Sequence, residues 1–132
     1  MAVAGLSWQH SQRDWEWVLG VNLWAVIHGI RIFVPKMMAQ NEPGHIINTA
    51  SMAGLISGPS TSIYGVTKHA VVSLSESLHH ELKLSGSKLR CSVLCPAFVN
   101  TGIADSARNR PAGLTDAPAD VNAAMLIEVA NF

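Results

Sequence analysis

This sequence of 132 residues lacks any broad excess of charge. Nine basic side chains are balanced by nine acidic ones, so there is no basic footprint for nucleic acid. Nor is there a block of like charge to mark a solvated tail. The opening Met1-Ala-Val-Ala-Gly-Leu-Ser has neither a basic stretch nor a long apolar one, so no signal peptide is expected. Cysteine is scarce. Cys91 and Cys95 share one apolar run, and on a strand rising about 3.3 Å per residue they stand roughly 13 Å apart. That is too far for a disulfide. Two core thiols in a reducing compartment, the cytoplasm, are the expectation. Paired metal-ligand spacing is missing too, because His79, His80 and Glu81 are adjacent rather than one helical turn apart. No metal is expected. Ser51 lacks the glycine frame of a hydrolase elbow, since Thr49 holds the first glycine position. Gly54 and Gly58 have no third glycine at Ser60 and no strand leading into them, so they do not make a phosphate loop. The most apolar window, residues 17–34, contains Asn22, His28 and Arg31, which are costly in a bilayer. A buried amphipathic helix fits it better than a membrane span.

The hydrophobic content, 48%, suits a single domain over 1–132. Ser11-Gln-Arg-Asp14 is a capping-box pattern that opens a helix. Trp15, Val18, Leu19, Asn22, Leu23, Val26, Ile27, Ile30, Phe33, Val34, Met37 and Met38 continue it as a helical stripe to a turn at residues 40–44. His45-Ile-Ile-Asn-Thr-Ala50 reads as a buried strand. A loop rich in Gly, Ser and Pro follows to residue 60. A second helix runs from about residue 62 to Leu84, with Gly86 as its stop. Residues 88–95 form a second buried strand ended by Pro96. Residues 97–118 carry little regular pattern, with a mobile loop expected at about 104–118 and a last helix at about 119–129. Helix, strand, helix, strand is α/β order, and near-continuous apolar strands joined by a helical crossover argue for a parallel sheet covered on both faces.

The chemistry gathers around three residues. Tyr64 and Lys68 are four apart and so share one face of the second helix. A phenol beside a fixed ammonium loses its proton more readily than one in water. A free tyrosine titrates near about 10, and each unit of depression needs about 1.4 kcal/mol. Ser51, thirteen residues before Tyr64, is far enough away to reach it from another element. Taken singly, each has a plainer reading: Asn22 as a satisfied polar group on an apolar face, Ser51 as a strand end, Tyr64 as a half-buried helix residue, Lys68 as a solvated charge.

Together they resemble the short-chain dehydrogenase/reductase family. The resemblance rests on Val21-Asn22-Leu23, on Ser51 at a strand end, on Tyr64-x-x-x-Lys68, and on Pro96-Ala-Phe-Val-Asn-Thr101 after the next strand. It covers roughly residues 6–103. It implies a partial Rossmann-type, doubly wound parallel sheet of about two strands with long flanking helices. It implies an NAD(P)-dependent oxidoreductase moving hydride between nicotinamide and a carbonyl or secondary alcohol. Tyr64 would be the acid/base. Lys68 would lower the tyrosine pKa and bond the nicotinamide ribose. Ser51 would stabilise charge on the substrate oxygen, and Asn22 would hold a water linking Lys68 to solvent. The cofactor contacts implied are Tyr64, Lys68, Pro96, Val99, Thr101 and Thr49. The usual Pro-Gly of the family reads Pro96-Ala97 here.

The family's glycine-rich turn, on which a pyrophosphate sits at a helix N-terminus, is not among these residues. Neither is the residue that chooses between NAD and NADP, nor the Asn-Asn-Ala-Gly element that the family places just before the first residues here. The domain therefore reads as an incomplete catalytic half. A strand left without its neighbour, and open helix flanks, favour self-association. The family's helical contacts suggest a homo-oligomer through residues 12–39 and 62–84. The alternative function is an inactive fragment acting as a helix-mediated interaction module. Leu55, Ile56, Phe98 and Ile103 point to a small-molecule substrate with a non-polar body.

Overall fold

The computed structural model describes residues 1–114. The helix expected at 119–129 and the end of the expected 104–118 loop lie outside the described residues.

Helix α1, Gln12–Leu19, opens on the expected capping box: the Ser11 hydroxyl accepts from the Asp14 backbone N–H, and the Asp14 side chain accepts from the Ser11 N–H. Such a cap typically stabilises a helix by about 1 kcal/mol. A π-turn, Gly20–Trp24, follows, then helix α2, Ala25–Gln40. The three run on as one helix of 29 residues, long and apolar enough by composition to cross a membrane. In this fold one side of it is turned inward instead. The π-turn winds more slowly than an α-helix, so the inward positions fall at a spacing of four: Asp14, Val18, Asn22, then Val34 are buried, with Val26 and Ile30 packed beside them. A stripe drawn at one constant period misses this drift. Phe33 and Met38, expected inside, are 61% and 41% exposed, whereas Trp17, outside the expected stripe, is buried.

Strand β1, Gly44–Thr49, pairs in parallel with strand β2, Leu89–Leu94, so that Ile46 faces Cys91 and Thr49 faces Leu94. Between them helix α3, Ser62–Leu84, makes the crossover. Gly86 ends it as expected: with φ +65° it takes a left-handed conformation that costs a glycine little, and its N–H donates to the Lys83 carbonyl. Val34, Leu78, Leu82, Leu89 and Cys91 form one core cluster, with Ile30, Met37 and Ile46 against it. Ala50, Val71 and Val72 form a second, joined by Leu23, Val26, Val93 and Cys95. Helices α2 and α3 thus lie on the same face of the sheet. The expectation of cover on both faces is met on one only: His45, Ile47, Thr49, Arg90, Ser92 and Leu94 are exposed on the other. The strands alternate rather than being buried throughout. Burial holds Cys91 as an ordinary thiol, its pKa pushed up, and both cysteines are free.

Candidate active site

In a parallel sheet the strand ends that carry ligands are the carboxyl ends, and here these are Thr49 and Leu94. The chain leaves both toward α3. The Ala50 N–H donates to the Leu94 carbonyl at 2.8 Å, and the Met52 N–H to the Pro96 carbonyl at 2.9 Å. Ser51 caps a short 3₁₀ turn, Met52–Gly54, its hydroxyl accepting from the Ala53 N–H at 3.2 Å. That turn lies directly on α3. A Cβ on Gly54 would stand 2.7 Å from the Lys68 carbonyl oxygen and 2.9 Å from a Val72 methyl. Glycine at 54 is what lets the Ser51 turn sit this close.

Tyr64 and Lys68 share one face of α3, as their spacing requires. The Lys68 Nζ lies 5.6 Å from the centroid of the Tyr64 ring and donates to the Thr49 carbonyl at 3.2 Å. An ammonium carries three donors; this bond occupies one and aims the head at the end of β1. Burial disfavours the charged form and lowers the Lys68 pKa. Both side chains are half-buried.

Asn22 reaches the same helix from the π-turn. It is buried, and its Nδ2 donates to the Thr67 hydroxyl at 3.1 Å and to the Met1 carbonyl at 2.8 Å. Its Oδ1 accepts from the Met1 amino group at 3.0 Å. Both amide hydrogens are thus used, and only a lone pair on Oδ1 remains for a water. Thr67, fully buried, passes the link on by donating to the Tyr64 carbonyl at 2.7 Å. The sequence reading missed Thr67. The signal was there: a small hydroxyl residue between Tyr64 and Lys68, three residues from the first.

The structure therefore brings Asn22, Thr49, Tyr64 and Lys68 into one linked corner, with the Ser51 turn against it and Pro96 tied to that turn. Val99 and Thr101 lie further out and exposed. Among the described residues no cluster of metal-binding side chains occurs.

The family model of short chain dehydrogenases matches residues 2–112. The chain belongs to that family. It is 32% identical over 116 residues to a CLA biosynthesis dehydrogenase/reductase of Lactiplantibacillus plantarum, covering 88% of this chain and 41% of the relative. It is 40% identical over 84 residues to a 1-deoxy-11-beta-hydroxypentalenate dehydrogenase of Streptomyces avermitilis, covering 64% and 30%. Among solved structures, a short chain dehydrogenase/reductase from Burkholderia phymatum in complex with NAD superimposes with a TM-score of 0.92 at 48% identity, covering 98% of this chain and 48% of that one. The chain spans less than half the length of these relatives.

Proposed function

We propose that this chain carries the acid–base half of an NAD(P)-dependent oxidoreductase, acting on a small carbonyl compound or secondary alcohol. The observation that carries the reading is the Lys68 ammonium held between the Tyr64 ring and the carboxyl end of β1. Tyr64 would give a proton to a carbonyl oxygen during reduction, or take one from an alcohol during oxidation. Ser51 would donate a hydrogen bond to the same substrate oxygen, where negative charge grows. Asn22, through Thr67, would hold the first turn of α3 in place.

The residues present fit the nicotinamide end of a dinucleotide. Lys68 has donors to spare for a ribose hydroxyl, and Thr49, Val99 and Thr101 are exposed at or beyond the strand ends. Pro96 would fix the approach of that backbone. The cofactor would supply or accept the hydride. The pyrophosphate turn is not among these 132 residues, and NAD and NADP are equally compatible with those present. The exposed Leu55, Ile56, Phe98 and Ile103 favour a non-polar substrate body.

Titration with NADH and NADPH, followed by nicotinamide fluorescence, tests the reading: a saturable change lost in Lys68→Ala supports it, and a change unaffected by that variant overturns it. A second reading has its own support. Among the described residues, the bare sheet face, the unpaired edge of β1 and the open groove lined by Val26, Ile30, Phe33, Met37 and Ile46 suit a fragment that binds through its surfaces rather than turning over substrate. In that case neither nucleotide changes fluorescence, and the chain self-associates through α2 and α3.

A further inference from the structure

A second buried polar cluster lies at the start of α1, away from Lys68. The Asp14 carboxylate is divided between two tasks. Its Oδ2 accepts from the Ser11 N–H at 2.8 Å and from the Ser11 hydroxyl at 3.0 Å, which closes the helix cap. Its Oδ1 receives the Arg110 guanidinium at 2.5 Å, across 96 residues of sequence. Both side chains are more than nine-tenths buried. The guanidinium also stacks over the Trp17 ring, 5.1 Å from its centroid, and its Nε donates to the Leu114 carbonyl. The His10 Nδ1 stands 4.0 Å from Oδ2. Two further contacts seat the same segment. The Ser106 hydroxyl donates to the Ala2 carbonyl at 2.9 Å and accepts from the Ala2 N–H at 3.1 Å. Leu114 packs on the cluster of Trp17, Val18 and Ile63, and Ile63 immediately precedes Tyr64.

The chain after β2 is therefore fixed at two points. Pro96 is tied to the Ser51 turn, and residues 106–114 are tied to Ala2 and to α1. Between them residues 97–105 bow outward, exposing Phe98, Val99 and Ile103. Such a stretch, with only 3₁₀ turns beyond it among the described residues, takes its course from its anchors. Asp14 is a suitable anchor because the helix cap already orients it. The guanidinium divides its donors between the Asp14 carboxylate, through Nη1, and the Leu114 carbonyl, through Nε, and a charge-assisted bond of this kind is stronger than a neutral one. A buried pair of this kind adds little net stability over apolar packing, but removing one partner strands a buried charge.

We propose that Asp14 and Arg110 form a latch that sets the path of residues 97–105, and are thus positioning residues for the substrate side of the site. The substrate-side role rests on the oxidoreductase reading; the latch itself does not. The test is backbone hydrogen exchange on the whole chain, read by mass spectrometry in peptides covering residues 97–114, with no cofactor present. In Asp14→Asn and in Arg110→Gln, the amides of Asp105, Ser106, Arg108 and Arg110, which now bond within this segment, should exchange at least tenfold faster. Amides of α3 and β2 should keep their rates. Arg110→Lys, which keeps the charge but loses the fork, should recover part of the protection. Unchanged exchange in the segment would overturn the latch. So would equal loss of protection throughout the chain, or Arg110→Lys behaving as Arg110→Gln. Because no nucleotide enters the measurement, the latch can fail while the nicotinamide titration succeeds, and the reverse.

Discussion

The corner around Tyr64 and the open side of the sheet are built from one chain under opposite rules. At the corner, polar groups are buried and matched: Asn22 to Thr67, Thr67 to the Tyr64 carbonyl, Lys68 to the Thr49 carbonyl. On the open side, apolar groups are exposed and unmatched: Ile47 and Leu94 are each more than half exposed, and the outer edge of β1 has no strand beside it among the described residues. The difference shows which parts of the fold these residues can complete alone. They settle where the Tyr64 and Lys68 side chains stand. They leave one sheet face without cover among the described residues.

The most direct way to break this comparison is at the hydroxyl of Tyr64. In a full-length context that includes a glycine-rich cofactor half, Tyr64→Phe should lower turnover at least about a hundredfold, the scale of lost general acid–base catalysis. Steady-state rates with the corresponding alcohol or ketone measure it. Near-normal turnover would reduce the corner to a structural feature.

Thr67→Val tests whether the corner is held by its buried bonds. The variant keeps the shape but removes one donor and one acceptor, leaving an Asn22 donor with one partner fewer. Leaving such a group short costs about 1–3 kcal/mol, read as a lower midpoint in thermal unfolding. Gly54→Ala probes the same corner by volume. The new methyl must displace the Ser51 turn from the Lys68 carbonyl, at about 1–3 kcal/mol. The contrast is Gly29→Ala in α2, where a Cβ meets nothing within 4 Å. There alanine should stabilise by up to about 1 kcal/mol, because a half-buried helix position with open space beside it gains helix propensity without a clash. Equal effects at the two glycines would erase the distinction between the tight corner and the roomier flank of α2.

Much of this was legible from residues alone. The capping box at Ser11 and Asp14, the crossover helix ending before Gly86 and the parallel order of the two strands follow from local rules: an N-cap with its acidic partner, a glycine that tolerates positive φ, a crossover too long for a hairpin. The Tyr64–Lys68 face follows from helical spacing. What sequence does not carry is phase and distance. The π-turn at Gly20–Trp24 has no local marker, so the stripe of α2 drifts and Trp17 turns inward in place of Phe33. The Thr67 relay and the Asp14–Arg110 pair join residues 45 and 96 apart, and no periodicity links such positions. Likewise the sheet's bare face is hidden in strands whose apolar residues look alike until burial separates Ile46 from Ile47.

Acid should act on one buried group in particular. Burial raises the cost of an Asp14 charge, but the bonds from Arg110 and Ser11 outweigh it and hold the carboxyl below its usual range. A carboxylate with a lowered native pKa contributes its full stability above the unfolded value of about 4 and loses it as pH falls through the native one. Unfolding midpoints recorded from pH 7 down to pH 2 should therefore fall on the acid side in the wild type. The fall should be shallower in Asp14→Asn, which has no proton to take up at this position. His10 also faces this carboxylate at 4.0 Å, so the comparison is repeated in a His10→Gln background.

The smallest effect is expected on the open side. Ile47 points from β1 into the uncovered face and is 59% exposed. Exposed substitutions away from caps and buried bonds usually change stability by less than about 0.5 kcal/mol, so Ile47→Thr, which keeps the β-branch that suits a strand, should leave the unfolding midpoint almost unmoved. Its effect should show in association instead. An exposed apolar strand face beside an unpaired edge favours contact between copies, and removing a methyl-rich side chain there should shift the sedimentation distribution toward smaller species at equal concentration. A large loss of stability in Ile47→Thr would mean that this face is covered in solution, and the two regions would then differ less than their exposure suggests.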